Sequence, residues 1–194
     1  MKSLLFMLAV SSYLIASLII PTAMASEESY EEALNNFKHA EETAKFFDES
    51  YGYALFPTVG KGGIGIGGAY GKGKVFKDGR AVGESSLKQL SIGLQLGGQA
   101  YSEIIFFEDE KSFKDFTSGT FEFGAQASAV AINMGVNAQT GTTGNSAGAG
   151  QSGGSQKAKG SYVNGMAVFT AAKGGLMYEA SLAGQAFSFE PLGK

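Results

Sequence analysis

Two glycine spacings in this chain match phosphate-binding turns on paper. Gly60-x-Gly62-x-x-Gly65 has the spacing of a dinucleotide-binding turn. That turn works by ending a strand and opening a helix whose N-terminal amides hold the pyrophosphate. Here the glycines alternate with Ile64 and Ile66 and run on into a hairpin signal. Residues 68–75 come close to a P-loop, with Gly73-Lys74 in place. Val75 stands where a Ser or Thr hydroxyl must reach magnesium, and no helical pattern follows. His39 is the only histidine and there is no cysteine. Histidine metal clusters, thiolate sites, thiol nucleophiles and disulfides are therefore excluded together. A Ser-His-Asp relay would have to use His39, which falls opposite Phe37 on the polar side of a helical pattern. Among the 18 acidic residues no spacing selects a catalytic carboxylate pair. The expectation is a protein that binds without catalysis and without a cofactor.

What the residues do offer is a placement of charge. Between residues 61 and 80 stand Lys61, Lys72, Lys74, Lys77 and Arg80 against Asp78 alone. The flanking segments are acidic, with eight carboxylates against Lys38 and Lys45 over residues 27–49. A short basic stretch in an acidic protein suits an anion. The solvated face of a hairpin is the plain alternative, and composition leaves both open. The formal net charge of −3 excludes an ordinary nucleic-acid binder, which carries a large positive field.

The elements that must position these lysines follow a leader. Lys2 precedes an apolar run over residues 4–20, Pro21 ends it, and Ala23-Met24-Ala25 has the small-x-small pattern of a signal-peptidase site. Residues 1–25 read as a cleavable secretory signal, which implies an exported, periplasmic or envelope-associated protein. An uncleaved anchor is the alternative. The remaining 169 residues suffice for one domain, 26–194, with its own core.

Residues 27–47 carry one apolar stripe at three- and four-residue steps: Tyr30, Leu34, Phe37, Ala40, Ala44 and Phe47. Ser26 is placed as its N-cap. A short apolar piece over 51–56 is closed by Pro57. Strand patterns then cover 62–70, 72–76, 81 onward, 90–98, 100–107, 121–136, 166–171, 175–181 and 186–189, with a short helix over 109–117. Asp78-Gly79 marks a two-residue hairpin turn. Residues 138–160 are nearly all Gly, Ala, Ser, Thr, Asn and Gln, and read as a flexible loop. Gly98-Gln99-Ala100-Tyr101-Ser102 returns as Gly184-Gln185-Ala186-Phe187-Ser188, and Lys61-Gly62-Gly63-Ile64 returns as Lys173-Gly174-Gly175-Leu176. The fold class is β-rich α+β. Glycines so frequent within strands point to a strongly curved, barrel-like antiparallel sheet with an N-terminal amphipathic helix and one short helix. An outer-membrane barrel is a weaker alternative, since the chain ends in Pro191-Leu192-Gly193-Lys194 instead of a strand.

Phe56-Pro57-Thr58-Val59-Gly60-Lys61-Gly62-Gly63-Ile64-Gly65 and Gly68-Ala69-Tyr70-Gly71-Lys72-Gly73 resemble the opening motif of the SYLF lipid-binding domain family. The resemblance continues through residues 91–99, 121–130 and 173–176. It implies a β-rich domain that binds phospholipid through basic surface residues. Lys61, Lys72 and Lys74 fall within the matching motif, with Lys77 and Arg80 beside them, and Lys173 echoes Lys61. Anionic phospholipid headgroups at a membrane surface are the expected partner. The N-terminal helix departs from the family pattern in being acidic, so an anionic bilayer repels it. Actin binding, attributed to some eukaryotic members, does not carry over to an exported chain. The alternative function is a structural or oligomerising periplasmic protein, a homo-oligomer pairing through an exposed sheet edge.

Overall fold

The computed structural model describes residues 26–64, 66–92, 98–124, 131–133, 161–173 and 182–193. The leader over 1–25, the loop over 138–160, the strand expected over 175–181 and Gly65 of the glycine spacing lie outside the described residues.

Helix α1 (Glu27–His39) starts as expected, with Ser26 extended and its side chain accepting from the Ser29 amide. The single helix expected over 27–47 is instead two. Ala40 is extended, at φ −80° and ψ 129°, and α2 (Glu41–Glu49) follows it. The buried Thr43 hydroxyl donates to the carbonyls of Phe37 and Ala40. That satisfies groups which a helix end leaves without partners. Across the break, Tyr30, Ala33 and Phe37 of α1 and Phe46 of α2 are all buried in one cluster.

Among the described residues eight strands follow: β1 (Gly52–Ile64), β2 (Ile66–Lys77), β3 (Arg80–Ile92), β4 (Gly98–Phe107), β5 (Thr120–Glu122), β6 (Ala131–Asn133), β7 (Met166–Lys173) and β8 (Gln185–Pro191). They form one sheet in the order β5-β8-β3-β2-β1-β4-β7-β6. Every pairing is antiparallel except β6 with β7. Helix α3 (Glu110–Phe116) is the expected short helix, opened by a capping box between Asp109 and Ser112.

Several strand boundaries differ from the sequence expectation. The piece over 51–56 does not stop at Pro57. β1 runs through it, and its register slips between Leu55 and Thr58 against β2 and between Phe56 and Val59 against β4. Proline has no N–H to donate, and a bulge is where a strand tolerates it. The run over 62–70 reverses direction, because Ile64 pairs with Ile66. The pieces beginning at 81 and 90 belong to one strand, β3. The Asp78-Gly79 turn is as expected: φ is 50° and 73° at the two residues, and Lys77 pairs with Arg80.

The sheet is rolled. β8 and β4 stand four places apart in the strand order, roughly 19 Å on a flat sheet. Yet the Gln185 amide donates to Glu103 Oε2 at 3.1 Å. Phe56 of β1 and Phe187 of β8 lie three places apart, with ring centroids 5.5 Å from each other. Gly73 of β2 permits part of this closeness, since a Cβ there would meet the Phe56 ring at 2.5 Å and the Leu55 carbonyl at 2.7 Å. The α+β, sheet-rich architecture is therefore as expected, and strongly curved. Closure into a barrel is not among the described pairings, which leave β5 and β6 as edges.

Rolling creates two cores. The inner one holds Ala54, Phe56, Val75, Leu87, Ile105, Phe107, Val168 and Phe187, with Phe116 of α3 at one end. Farther from α3 the interior turns polar: Tyr101, Glu103, Thr170 and Gln185 are all buried. Burial pushes the Glu103 carboxyl up to about 8, only partly opposed by the hydrogen bond from Gln185. Glu103 Oε1, Thr170 Oγ1 and Gln185 Oε1 have no hydrogen-bond partner among the described residues. The outer core packs α1 and α2 on Leu55 of β1, Ile104 and Phe106 of β4, and Ala167 and Phe169 of β7.

Candidate functional site

The helices cover the outer face over β1, β4 and β7, which among the described residues leaves the outer face of β2, β3 and β8 open. Strand alternation puts Tyr70, Lys72 and Lys74 of β2 on that face, with Glu84, Ser86, Lys88 and Leu90 of β3 and Ser188 and Glu190 of β8. The registers arrange them in rows: Gly68 with Leu90, Tyr70 with Lys88, Lys72 with Ser86 and Ser188, and Lys74 with Glu84 and Glu190. The Ser86 and Ser188 hydroxyls are 2.6 Å apart. A groove of about 240 Å³ runs between Tyr30 of α1 and this face, lined by Lys72, Lys74, Ser86 and Ser188 among others. A second, of about 310 Å³, continues from Ser86 and Ser188 to Lys88 and Phe121. Two large apolar side chains stand out from the same face: Tyr70 is 49% exposed and Leu90 is 84% exposed.

The five basic residues singled out in the sequence do not form one patch. Lys72 and Lys74 lie on the open outer face. Lys61 pairs with Ala69 and Gln99 at the far end of β1, on the row of the buried Ala69. Lys77 lies at the other end of β2, where it donates to the Tyr51 hydroxyl and sits 4.4 Å from the centre of its ring. That hydrogen bond raises the Lys77 pKa. Ala69 and Lys77 are separated by roughly 26 Å along β2. Arg80 is exposed beside the hairpin turn, paired in register with Lys77.

Lys74 is engaged by the acidic helix. Its Nζ lies 2.7 Å from Glu27 Oε2 and 4.5 Å from the centre of the Tyr30 ring. Burial, reinforced by Glu84 and Glu27, raises the Tyr30 pKa, so its hydroxyl stays protonated. Lys173, the echo of Lys61, is paired with Glu32 at 3.7 Å and donates to Thr58 Oγ1 at 3.3 Å. Thr58 is itself the register partner of Lys72. The acidic character of α1 is thus partly neutralised against the sheet.

Sequence reasoning missed Lys88, Tyr70, Leu90 and the Ser86–Ser188 pair. The period-two run Glu84-x-Ser86-x-Lys88-x-Leu90 was the available signal, but only the β2–β3 register brings it beside Tyr70 and Lys72. Among the described residues, no group of three His, Asp or Glu side chains is placed to hold a metal. No helix among them is long and apolar enough to cross a membrane.

Residues 88–191 match the family model Ysc84, described as Las17-binding protein actin regulator. That span is more than half of the chain. The chain belongs to the Ysc84, or SYLF, family. The match begins at Lys88 within β3 and ends at Pro191, the last residue of β8. The SYLF match therefore takes in the Lys88–Leu90 side of the open face, while the glycine-rich motif over 56–73 precedes it. No curated protein matches the chain.

Proposed function

We propose that this SYLF protein is a non-enzymatic, envelope-associated phospholipid-binding protein that lays the outer face of β2 and β3 on an anionic membrane surface. The carrying observation is the grouping of Lys72 and Lys88 with exposed Tyr70 and Leu90 on the sheet face that, among the described residues, the helices leave bare. Leu90 can enter the headgroup boundary, Tyr70 has the amphipathic ring suited to it, and the lysine stems reach headgroup phosphates. Each lysine near an anionic surface contributes about 1 kcal/mol. Two or three give weak, reversible binding that falls with salt. The Ser86 and Ser188 hydroxyls offer hydrogen bonds to a phosphate seated in the groove between them and Lys72. Lys61, Lys77 and Arg80, spread over the two ends of the hairpin, then act at longer range.

The test is co-sedimentation with phosphatidylglycerol-containing vesicles. K72E/K88E is expected to lose most of the pelleting seen with the unsubstituted protein, and K77E/R80E, carrying the same charge change, much less. Equal pelleting of K72E/K88E and the unsubstituted protein would rule out this face.

A further inference from the structure

The acidic helix lies over the edge of the proposed membrane face and supplies carboxylates of its own to Lys74 of that face and to Lys173 of the neighbouring β7. We propose that Glu27 and Glu32 are specificity-determining residues: they occupy Lys74 and Lys173 as internal competitors, so the face engages only surfaces dense in anionic lipid. This rests on the membrane reading above.

Three observations carry it. First, the lysines are held and the carboxylates are not. The side chains of Lys74 and Lys173 are 26% and 24% exposed, those of Glu27 and Glu32 76% and 64%. The lysines are fixed by their contacts with Tyr30 and Thr58, while each glutamate can swing into solvent when another anion takes its place. Second, the helix stays put without these ion pairs. Tyr30, Ala33 and Phe37 are buried against the sheet between and beyond the two glutamates. The competing carboxylates are therefore held at high local concentration beside the lysines, whatever the occupant of the face. Third, the paired lysines adjoin one that is not paired. Lys72 is exposed, with no ion pair among the described residues, and stands one row from Lys74 on β2 and opposite Thr58, the residue that Lys173 contacts. Lys72 is thus open for a first headgroup, and Lys74 and Lys173 become available only by exchange.

An anionic bilayer shifts that exchange by mass action. A sparse surface offers too few phosphates to displace carboxylates already in contact, and a dense one does displace them. Exposed ion pairs are individually weak, so the two together set a threshold without locking the face shut. Removing them is expected to tighten binding by about fivefold at low anionic content, and by much less on fully anionic vesicles.

The experiment compares the full chain with E27Q/E32Q and E28Q/E31Q across vesicles of phosphatidylcholine with graded phosphatidylglycerol. Glu28 and Glu31 are exposed neighbours on the same helix with no ion pair among the described residues, so the second variant changes net charge equally. The expected result is a shift of half-binding to lower phosphatidylglycerol content for E27Q/E32Q, with E28Q/E31Q within twofold of the unsubstituted protein. An equal shift in both variants, or none in E27Q/E32Q while the unsubstituted protein binds, would overturn the competition and leave the membrane face standing. Absence of binding by all three at full anionic content would instead overturn the membrane face, and the competition with it.

Discussion

Replacing Glu103 by glutamine should make the protein more resistant to unfolding as pH rises, and by an amount that grows steadily. Glu103 is fully buried in the polar part of the rolled interior. It faces Tyr101, Thr170 and Gln185, none of which carries a positive charge, and burial pushes its carboxyl up to about 8 from an ordinary 4.5. Burial, then the nearby Glu103 charge, raises the Tyr101 pKa as well, so that phenol is neutral throughout this range. In the unfolded chain the carboxyl ionises near 4.5, while in the folded chain it stays protonated until about 8. Below 4.5 both states hold the proton and stability is at its full value. As pH climbs from there toward 8, only the unfolded state gains from ionisation, so stability is lost at about 1.4 kcal/mol per pH unit. Across the whole window the loss is on the order of 5 kcal/mol. The amide in E103Q keeps an oxygen to accept from Gln185 and cannot ionise. Urea unfolding of both proteins at pH 5, 6, 7 and 8 checks this, since titrations common to both cancel in the difference. The stability gap should widen with pH in favour of E103Q. Parallel curves over this range would refute the picture of a neutral buried carboxyl without a cationic partner.

Two further substitutions probe how the face is supported. Gly73→Ala drives a methyl group into the Phe56 ring and the Leu55 carbonyl, and should cost about 1–3 kcal/mol in thermal or urea unfolding; unchanged stability would show that β2 does not approach β1 as closely as described. Thr43→Val removes the buried hydroxyl that satisfies the Phe37 carbonyl and should cost about 1–3 kcal/mol, with earlier amide exchange in α1 and α2 than in the strands; uniform exchange would argue against that role.

The parts of this fold that were legible in the sequence are those encoded by neighbours. Ser26 caps α1 because its side chain reaches an amide three residues on, and the short helix expected from 109 is present with Asp109 as its cap. Asp78-Gly79 makes its turn because both residues accept positive φ. The break at Ala40 was not legible, because the apolar stripe continues through it; what divides the helix is Thr43 bonding back to Phe37 against the sheet. The passage of β1 through Pro57 needed a bulge shared with both neighbours, and the reversal between Ile64 and Ile66 hides inside unbroken alternation of glycine and isoleucine. The lysines were visible as residues, but their grouping was not. Whether Lys61 and Lys72 share a face depends on the strand bulge and on which face the helices cover, and both are settled by contacts distant in the chain.

The strand order also governs when this protein can become itself. β1, β2 and β3 form a local meander, but β4 goes back to the free edge of β1, and the free edge of β3 waits for β8. Gly83 pairs with Pro191, 108 residues later. The free edge of β3 therefore stays unpartnered until β8, far downstream, docks on it, and long-range pairings of this kind form slowly. Ser188 reaches Ser86, and Gln185 reaches Glu103, only once β8 has docked. The groove floor and the polar interior are thus completed together, by the same long-range pairing.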